Sequence, residues 1–337
     1  MQRPLLNCLA ATVCLCSGLV VACQTPVFRY ALERWKAGAW KIVVLSEGPL
    51  SPDQSKALQE LEKSADTATT TNNTQLDVQH IDLETAAPAD RRRWLSVREV
   101  AGSDRMPVAA AVYPQPATVD QPIASLMKFS AAAPDLILAS PARSELASRL
   151  SKGHSAVWLF LESGNQQADQ EAFERLNSQL QQDEKRLKLP AVAELQLTPE
   201  LLQRIRVPLK LHFSIIRLSR DDPRETFLVD TLLNCEADLR ELSEPMAFPV
   251  FGRGRVLYAL VGKGIDAKTV AEASDFLAGP CSCQVKEQNP GFDLLLIHHW
   301  DAAVGSTLIS SPIPQEQQTP KLLIIPPGRA TEGRAEK

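Results

Sequence analysis

Met106-Pro107-Val108-Ala109-Ala110-Ala111-Val112-Tyr113 places a proline directly before a run of small and β-branched apolar residues. Phe248-Pro249-Val250 repeats the start of this pattern in the second half of the chain. Such runs favour a buried strand, and the proline is tolerated best where the strand begins. The sequence therefore predicts one strand led by a proline in each half.

The segments around these two strands occur in the same order in both halves. In the first half, the expected elements are a strand at Lys41 to Leu45, a helix from Ser51-Pro52-Asp53 to about Ser64, a strand at Leu76 to Leu83, a helix from near Pro88, the strand from Met106 to Tyr113 and a helix at Pro141 to Leu150. The Thr- and Asn-rich stretch from Asp66 to Gln75 predicts a surface loop.

The second half repeats this order. Its expected elements are a strand at Ala156 to Leu161, a helix at Gln167 to Leu187, a strand at Leu209 to Leu218, a helix at Pro223 to Asn234, a strand opened by Phe248-Pro249-Val250, a strand at Val256 to Val261 and a helix at Asp266 to Ala278. Strand, helix, strand, helix, proline-led strand, strand and helix is the order of a thioredoxin-like fold.

We therefore expect an α/β protein with two thioredoxin-like domains in tandem after a signal peptide, followed by an extended C-terminal tail. The expected boundaries are 1–22 for the signal peptide, 23–152 and 153–305 for the two domains, and 306–337 for a Pro-rich tail. A single larger α/β domain is the alternative.

Composition limits the class of protein. The chain has 337 residues, of which 44% are hydrophobic and 23% charged, with a formal net charge of -4, values that are typical of a globular chain. A mean hydropathy of -0.13 excludes a polytopic membrane protein. The nearly balanced charge gives no reason to expect nucleic acid as a partner.

The N-terminus predicts export. Arg3 precedes a largely apolar run from Leu5 to Ala22, which is typical of a secretory signal. The run ends at Val20-Val21-Ala22-Cys23, which resembles the bacterial lipobox. That resemblance implies a lipid on Cys23, a membrane partner and a location in the bacterial cell envelope, facing the periplasm or the exterior. An ordinary cleaved signal and an uncleaved anchor are the alternatives.

Four further segments resemble an uncharacterised bacterial family of exported proteins and lipoproteins. They are Pro26-Val27-Phe28-Arg29-Tyr30-Ala31-Leu32-Glu33-Arg34-Trp35, Ser219 to Pro223, Phe248 to Arg255, and Cys281 to Gly291. The resemblance implies no activity. Within the first segment, Phe28, Leu32 and Trp35 fall on one helical stripe, and Arg29 and Glu33 are spaced to pair.

Sulfur is absent where a thioredoxin would carry its redox pair. Ser46-Glu47-Gly48-Pro49 and Glu162-Ser163-Gly164 follow the first strand of each half and contain no cysteine. Pro107 and Pro249 occupy the position of the cis-proline of thioredoxins, so each is a possible cis-proline, with a trans proline in an edge strand as the alternative.

The remaining cysteines support several interpretations. Cys281 and Cys283, one residue apart, are candidates for a redox-active pair, for a structural disulfide in which Cys235 could also take part, for inert thiols or for a soft-metal site. No second cysteine pair completes a metal site. We expect no cofactor and no bound metal.

Three other motifs have simple structural explanations. Adjacent His298 and His299 would face opposite sides of a strand, Gly252-Arg253-Gly254-Arg255 is typical of a tight turn, and Arg91-Arg92-Arg93 of a solvated helix face. The sequence therefore favours a membrane-tethered binding or scaffold protein, with an unknown protein partner and without its own catalysis. An extracytoplasmic thiol-disulfide oxidoreductase using Cys281 and Cys283 is the alternative.

Overall fold

The computed structural model describes residues 24–72, 74–191, 194–195, 197–280 and 286–310. The predicted signal peptide, Cys23, Cys281, Cys283 and the predicted tail beyond residue 310 lie outside the described residues.

The first half contains α1 (Val27–Arg34), β1 (Trp40–Ser46), α2 (Pro52–Asn72), β2 (Leu76–Asp82), α3 (Pro88–Ala101), β3 (Val108–Val112), β4 (Ile123–Lys128), α4 (Ala133–Leu138) and α5 (Pro141–Ser151). The second half contains β5 (Ala156–Leu161), α6 (Gln166–Arg186), α7 (Pro199–Arg204), β6 (Phe213–Leu218), α8 (Thr226–Leu233), β7 (Met246–Phe251), β8 (Arg255–Val256), β9 (Leu260–Val261), α9 (Ala267–Ala278), β10 (Phe292–Asp293) and α10 (Trp300–Val304). The fold is α/β.

The strands form two separate sheets. The first has the order β2-β1-β3-β4 and the second β6-β5-β7-β8-β10, with β9 also paired to β7. In each sheet the first strand runs parallel to the second and antiparallel to the third. The third strand is antiparallel to its next neighbour in both sheets. Strand order and direction are therefore repeated.

Layers of helices and the two sheets alternate through the described part of the chain. The α3 helix covers one face of the first sheet, where Trp94 packs on Val43 and Val108. The opposite face shares one core with the second sheet, and α2, α4, α5, α8 and α10 contribute to it. The α1, α6 and α9 helices cover the outer face of the second sheet around Trp158 and Phe160. The α3 helix therefore lies on the far side of the first sheet, whereas α1 packs on the second sheet and also contributes Leu32 to the shared core.

Hydrogen bonds at α5 join the two halves. Glu225, from the second half, accepts the backbone N–H of Ala142 at 2.8 Å and the hydroxyl of Ser140. Arg143 donates to the carbonyl oxygen of Leu295 at 2.8 Å, and its guanidinium lies 5.0 Å from the ring centroid of Phe227. Burial lowers the pKa of Arg143 to about 10. The halves therefore form a continuous interior.

The prediction of a surface loop from Asp66 to Gln75 is wrong, because α2 continues to Asn72. Ala65 and Ala68 are buried, and packing there outweighs the weak helix preference of threonine. The Thr70 hydroxyl donates to the carbonyl of Asp66 within the helix at 2.7 Å. Composition thus indicated a loop where a buried alanine stripe extends the helix.

The C-terminal segment also differs from the expectation. An extended tail is predicted from residue 306, but Ile309 and Ser310 are only 4% and 3% exposed. Both pack against α1, so the folded body extends at least to Ser310. The strand predicted at Val256 to Val261 is divided into β8 and β9.

Candidate functional site

The loop after β1 is the first candidate site, because it lies where two parallel strands end and α2 begins. Asp82, the last residue of β2, shapes this loop. Its Oδ1 accepts the N–H groups of Gly48 at 2.9 Å and Glu84 at 3.0 Å, and its Oδ2 accepts the Thr85 hydroxyl at 3.3 Å. These hydrogen bonds lower the pKa of Asp82, and the one from the Gly48 N–H has the largest effect. Glu47 pairs with Arg98 at 2.7 Å.

A serine and a histidine meet at the same loop. Ser46 Oγ lies 2.9 Å from His80 Nε2. A hydrolytic triad would need a carboxylate on the other ring nitrogen and an exposed hydroxyl. Ser46 is only 2% exposed, and no described hydrogen bond joins Asp82 to His80. The pair therefore lacks the arrangement of a nucleophilic serine.

The corresponding loop of the second half is closed by a different carboxylate. Asp169, in the first turn of α6, accepts the N–H and the hydroxyl of Ser163, both at 2.7 Å, and the N–H of Gly164 at 3.1 Å. Asp169 is 4% exposed. Glu162 pairs with Arg217 at 2.7 Å. In both halves, a carboxylate therefore organises the loop that follows the first strand.

The two prolines differ. The Met106–Pro107 peptide is cis, as is Gln115–Pro116, whereas the peptide before Pro249 is not among the cis bonds of the described residues. Pro249 lies inside β7, not at its start or in an edge strand. The carbonyl of Pro249 accepts the N–H of Leu257 at 3.0 Å. Proline has no backbone N–H to donate, and the edge on which that N–H would lie faces the break between β8 and β9.

The first described residues are held tightly to the body. Thr25 is 3% exposed, Pro26 forms a β-bridge with Pro280, and the N–H of Val27 donates to the carbonyl of Gly279 at 3.0 Å. The described chain is thus packed against the body as early as Thr25, two residues after Cys23.

The predicted ion pair of α1 is confirmed, but the predicted single stripe is wrong, because α1 is buried on all sides and Leu32 packs in the core between the sheets whereas Phe28 and Trp35 pack on the outer face of the second sheet. Phe28, Leu32 and Trp35 are buried. Arg29 Nε lies 2.7 Å from Glu33 Oε1, with side chains 1% and 0% exposed. Burial lowers the pKa of Arg29, and Glu33 opposes this effect.

Among the described cysteines, Cys235 is a free thiol. It is 3% exposed, and burial raises its pKa well above the usual range. A buried thiol of this kind is chemically unreactive at neutral pH. Cys23, Cys281 and Cys283 lie outside the described residues.

The other sequence motifs do not converge on one site. His298 packs on Trp300, with ring centroids 4.7 Å apart, and burial lowers its pKa, whereas His299 Nδ1 faces the carbonyl of Thr71. Arg255 is buried 3.3 Å from Asp293. The described residues contain no group of three or more His, Cys, Asp or Glu side chains that could hold a metal. No described helix is long and apolar enough to cross a membrane.

Sequence reasoning missed Asp82, Asp169 and the contact between Ser46 and His80. An aspartate in the first helical turn, four residues after Asn165, is a recognisable signal for the second loop. No sequence signal identifies the contact of Ser46 with His80, because it depends on the pairing of β1 with β2.

Comparisons with known proteins identify no matching family model and no matching curated protein.

Proposed function

We propose that this protein is a membrane-tethered lipoprotein of the bacterial cell envelope, with two degenerate thioredoxin-like domains that act as a binding or scaffold module without catalysis of their own. Its partners are the membrane, through a lipid on Cys23, and a protein ligand.

The repeated topology supports the thioredoxin-like part of this proposal. Both sheets place a parallel pair of strands beside an antiparallel pair in the same order. The two sheets are not continuous, as a tandem of domains requires.

One observation carries the non-catalytic part. The loops after β1 and β5 hold no sulfur, and Asp82 and Asp169 occupy their backbone donors instead. A thioredoxin leaves a thiol exposed at the start of the helix in this position, where the helix N-terminus lowers its pKa. Here, the same backbone groups serve to close the loop. The fold is retained and the reactive site is replaced by internal hydrogen bonds.

The tether is supported by the start of the folded body. Because Thr25 is already buried, only Gln24 separates it from the proposed lipid site. A membrane anchor would therefore hold the body close to the bilayer and not on a long linker.

Metabolic labelling with a fatty-acid analogue tests the tether. The wild-type protein should incorporate the label, and Cys23→Ser should abolish incorporation, whereas the matched variant Cys235→Ser should retain it. Label that persists in Cys23→Ser contradicts the lipoprotein proposal. Reduction of a model disulfide by the purified protein would contradict the non-catalytic assignment.

A further inference from the structure

Two short segments beside α1 combine exposed cations with half-buried leucines. They are Lys185-Arg186-Leu187-Lys188-Leu189, at the end of α6, and Leu209-Lys210-Leu211, before β6. The four leucines pack on the core between the second sheet and its outer helices and remain partly exposed. The four cations are exposed. These residues are called the basic-leucine patch below.

Hydrogen bonds place this patch next to the first turn of α1. Arg29 Nη1 donates to the carbonyl of Val207 at 2.7 Å, two residues before Leu209. Arg186 Nη1 lies 2.7 Å from Asp275 Oδ1, near the end of α9. The carbonyl of Asp275 accepts the N–H of Gly279, and the carbonyl of Gly279 accepts that of Val27. Both segments of the patch are thus connected to the residues that follow Cys23.

The patch has an excess of positive charge. Arg186 is neutralised by Asp275, and Glu184 faces His212 Nδ1 at 2.9 Å. Lys185, Lys188 and Lys210 have no described ion pair. A cation in the last helical turn also stabilises the helix, which accounts for Lys185. Lys188 lies beyond the end of α6 and Lys210 precedes a strand, so the helix does not account for either.

We propose that the basic-leucine patch lies on the anionic headgroups of the bilayer that holds the lipid anchor. This inference rests on the proposed function, because the anchor supplies the proximity. Thr25 follows Cys23 by two residue steps, which span at most about 7 Å, so the lipid keeps this face at the membrane surface. Lysines attract an anionic surface and the leucines contact its apolar boundary.

The other basic run supplies a control. Arg91, Arg92 and Arg93 belong to α3, which covers the face of the first sheet that points away from the second sheet. Exposed cations on that side, such as Arg92, Arg105 and Lys128, should not contribute to membrane contact.

Sedimentation with lipid vesicles tests the proposal. The chain from Gln24 to Lys337, which lacks Cys23 but contains all of the described residues, should bind phosphatidylglycerol vesicles more tightly than phosphatidylcholine vesicles, and less tightly at high salt. The triple variant Lys185→Gln, Lys188→Gln, Lys210→Gln should bind about 100-fold more weakly, or about fivefold per lysine. The triple variant Arg92→Gln, Arg105→Gln, Lys128→Gln removes the same charge and should bind like the wild type.

A second measurement uses the full lipid-anchored chain in its membrane. Lys188 and Lys210 should react more slowly with an acetylating reagent in the membrane than in detergent, whereas Lys56, 77% exposed on α2, should react equally in both. Equal loss of vesicle binding in both triple variants, or equal binding to both lipids, overturns the proposal. So does the absence of both vesicle binding and protection.

The outcomes also separate this inference from the proposed function. Vesicle binding by the chain from Gln24 to Lys337 does not depend on a lipid on Cys23. If labelling of Cys23 fails and vesicle binding persists, the lipid tether is wrong. If labelling succeeds and both vesicle binding and lysine protection are absent, only the patch is wrong.

Discussion

Glu33 Oε2 lies 2.7 Å from the backbone nitrogen of Ser310, 277 residues further along the chain. Glu33 Oε1 accepts the N–H of Ile309 at 3.0 Å and also contacts Arg29. A fully buried carboxylate therefore joins the first helix to the last described residues. The helix beside the proposed lipid site is held in place by the C-terminal segment.

Glu33→Gln should destabilise the protein by about 3 kcal/mol, because it leaves the buried Arg29 guanidinium without a counter-charge. Urea unfolding measures the change. Glu60→Gln is the control, because Glu60 is 56% exposed and 3.9 Å from Lys56, and it should change the free energy of unfolding by less than about 0.5 kcal/mol. Equal stability of Glu33→Gln and the wild type would show that the ion pair contributes nothing.

Asp169→Asn should loosen the loop after β5. The amide has one acceptor oxygen where the carboxylate uses two, so Ser163 or Gly164 loses a partner. A buried hydrogen bond to a charged group is worth about 2 kcal/mol, and urea unfolding should show a loss of that size. Asp77→Asn, at a side chain 53% exposed, should be nearly neutral. Faster amide exchange at Gly164 should accompany the loss. Unchanged exchange would contradict the assigned role.

His154 should titrate far below an ordinary histidine. Burial, followed by His212, Lys210 and Arg149, lowers its pKa to about 4. The unfolded chain takes up this proton near pH 6.5 and the folded chain only near 4. The stability contributed by neutral His154 is therefore complete above about pH 6.5 and falls as the pH decreases towards 4.

An NMR titration of the His154 ring should give a midpoint near 4. His154→Gln should flatten the decrease in the free energy of unfolding between pH 6.5 and 4. A midpoint of about 6 or above would contradict the expected desolvation.

Cys283→Ser distinguishes the two functions considered for the thiols. If Cys281 and Cys283 have a structural role as a disulfide, the substitution should cost about 2 kcal/mol or more, with no turnover to lose. We expect this outcome. Alkylation after denaturation, with and without reductant, reports whether the disulfide is present. Wild-type turnover of a dithiol substrate that disappears in Cys283→Ser, at an unchanged melting temperature, would favour the oxidoreductase alternative.

Local patterns determined several elements with little help from the rest of the chain. Ala156–Leu161 is a strand with the predicted bounds, because six consecutive apolar residues are typical of a buried strand. The pairing of Arg29 with Glu33 follows from the helical repeat. The helix predicted at Asp266 to Ala278 is α9, and Asp266 caps it through the N–H groups of Lys268 and Thr269.

Tertiary structure decided what depends on distant partners. The end of α2 is set by burial of Ala65 and Ala68, and the break between β8 and β9 lies opposite Pro249. Ser46 meets His80 only because β1 and β2 pair in one register. The polypeptide's own periodicity encodes which face of an element is apolar, but hydrogen bonds between remote residues exist only after the sheets have formed. The sequence by itself therefore determined the order and type of most elements, whereas the closed loops and the position of the basic-leucine patch beside α1 required the folded chain.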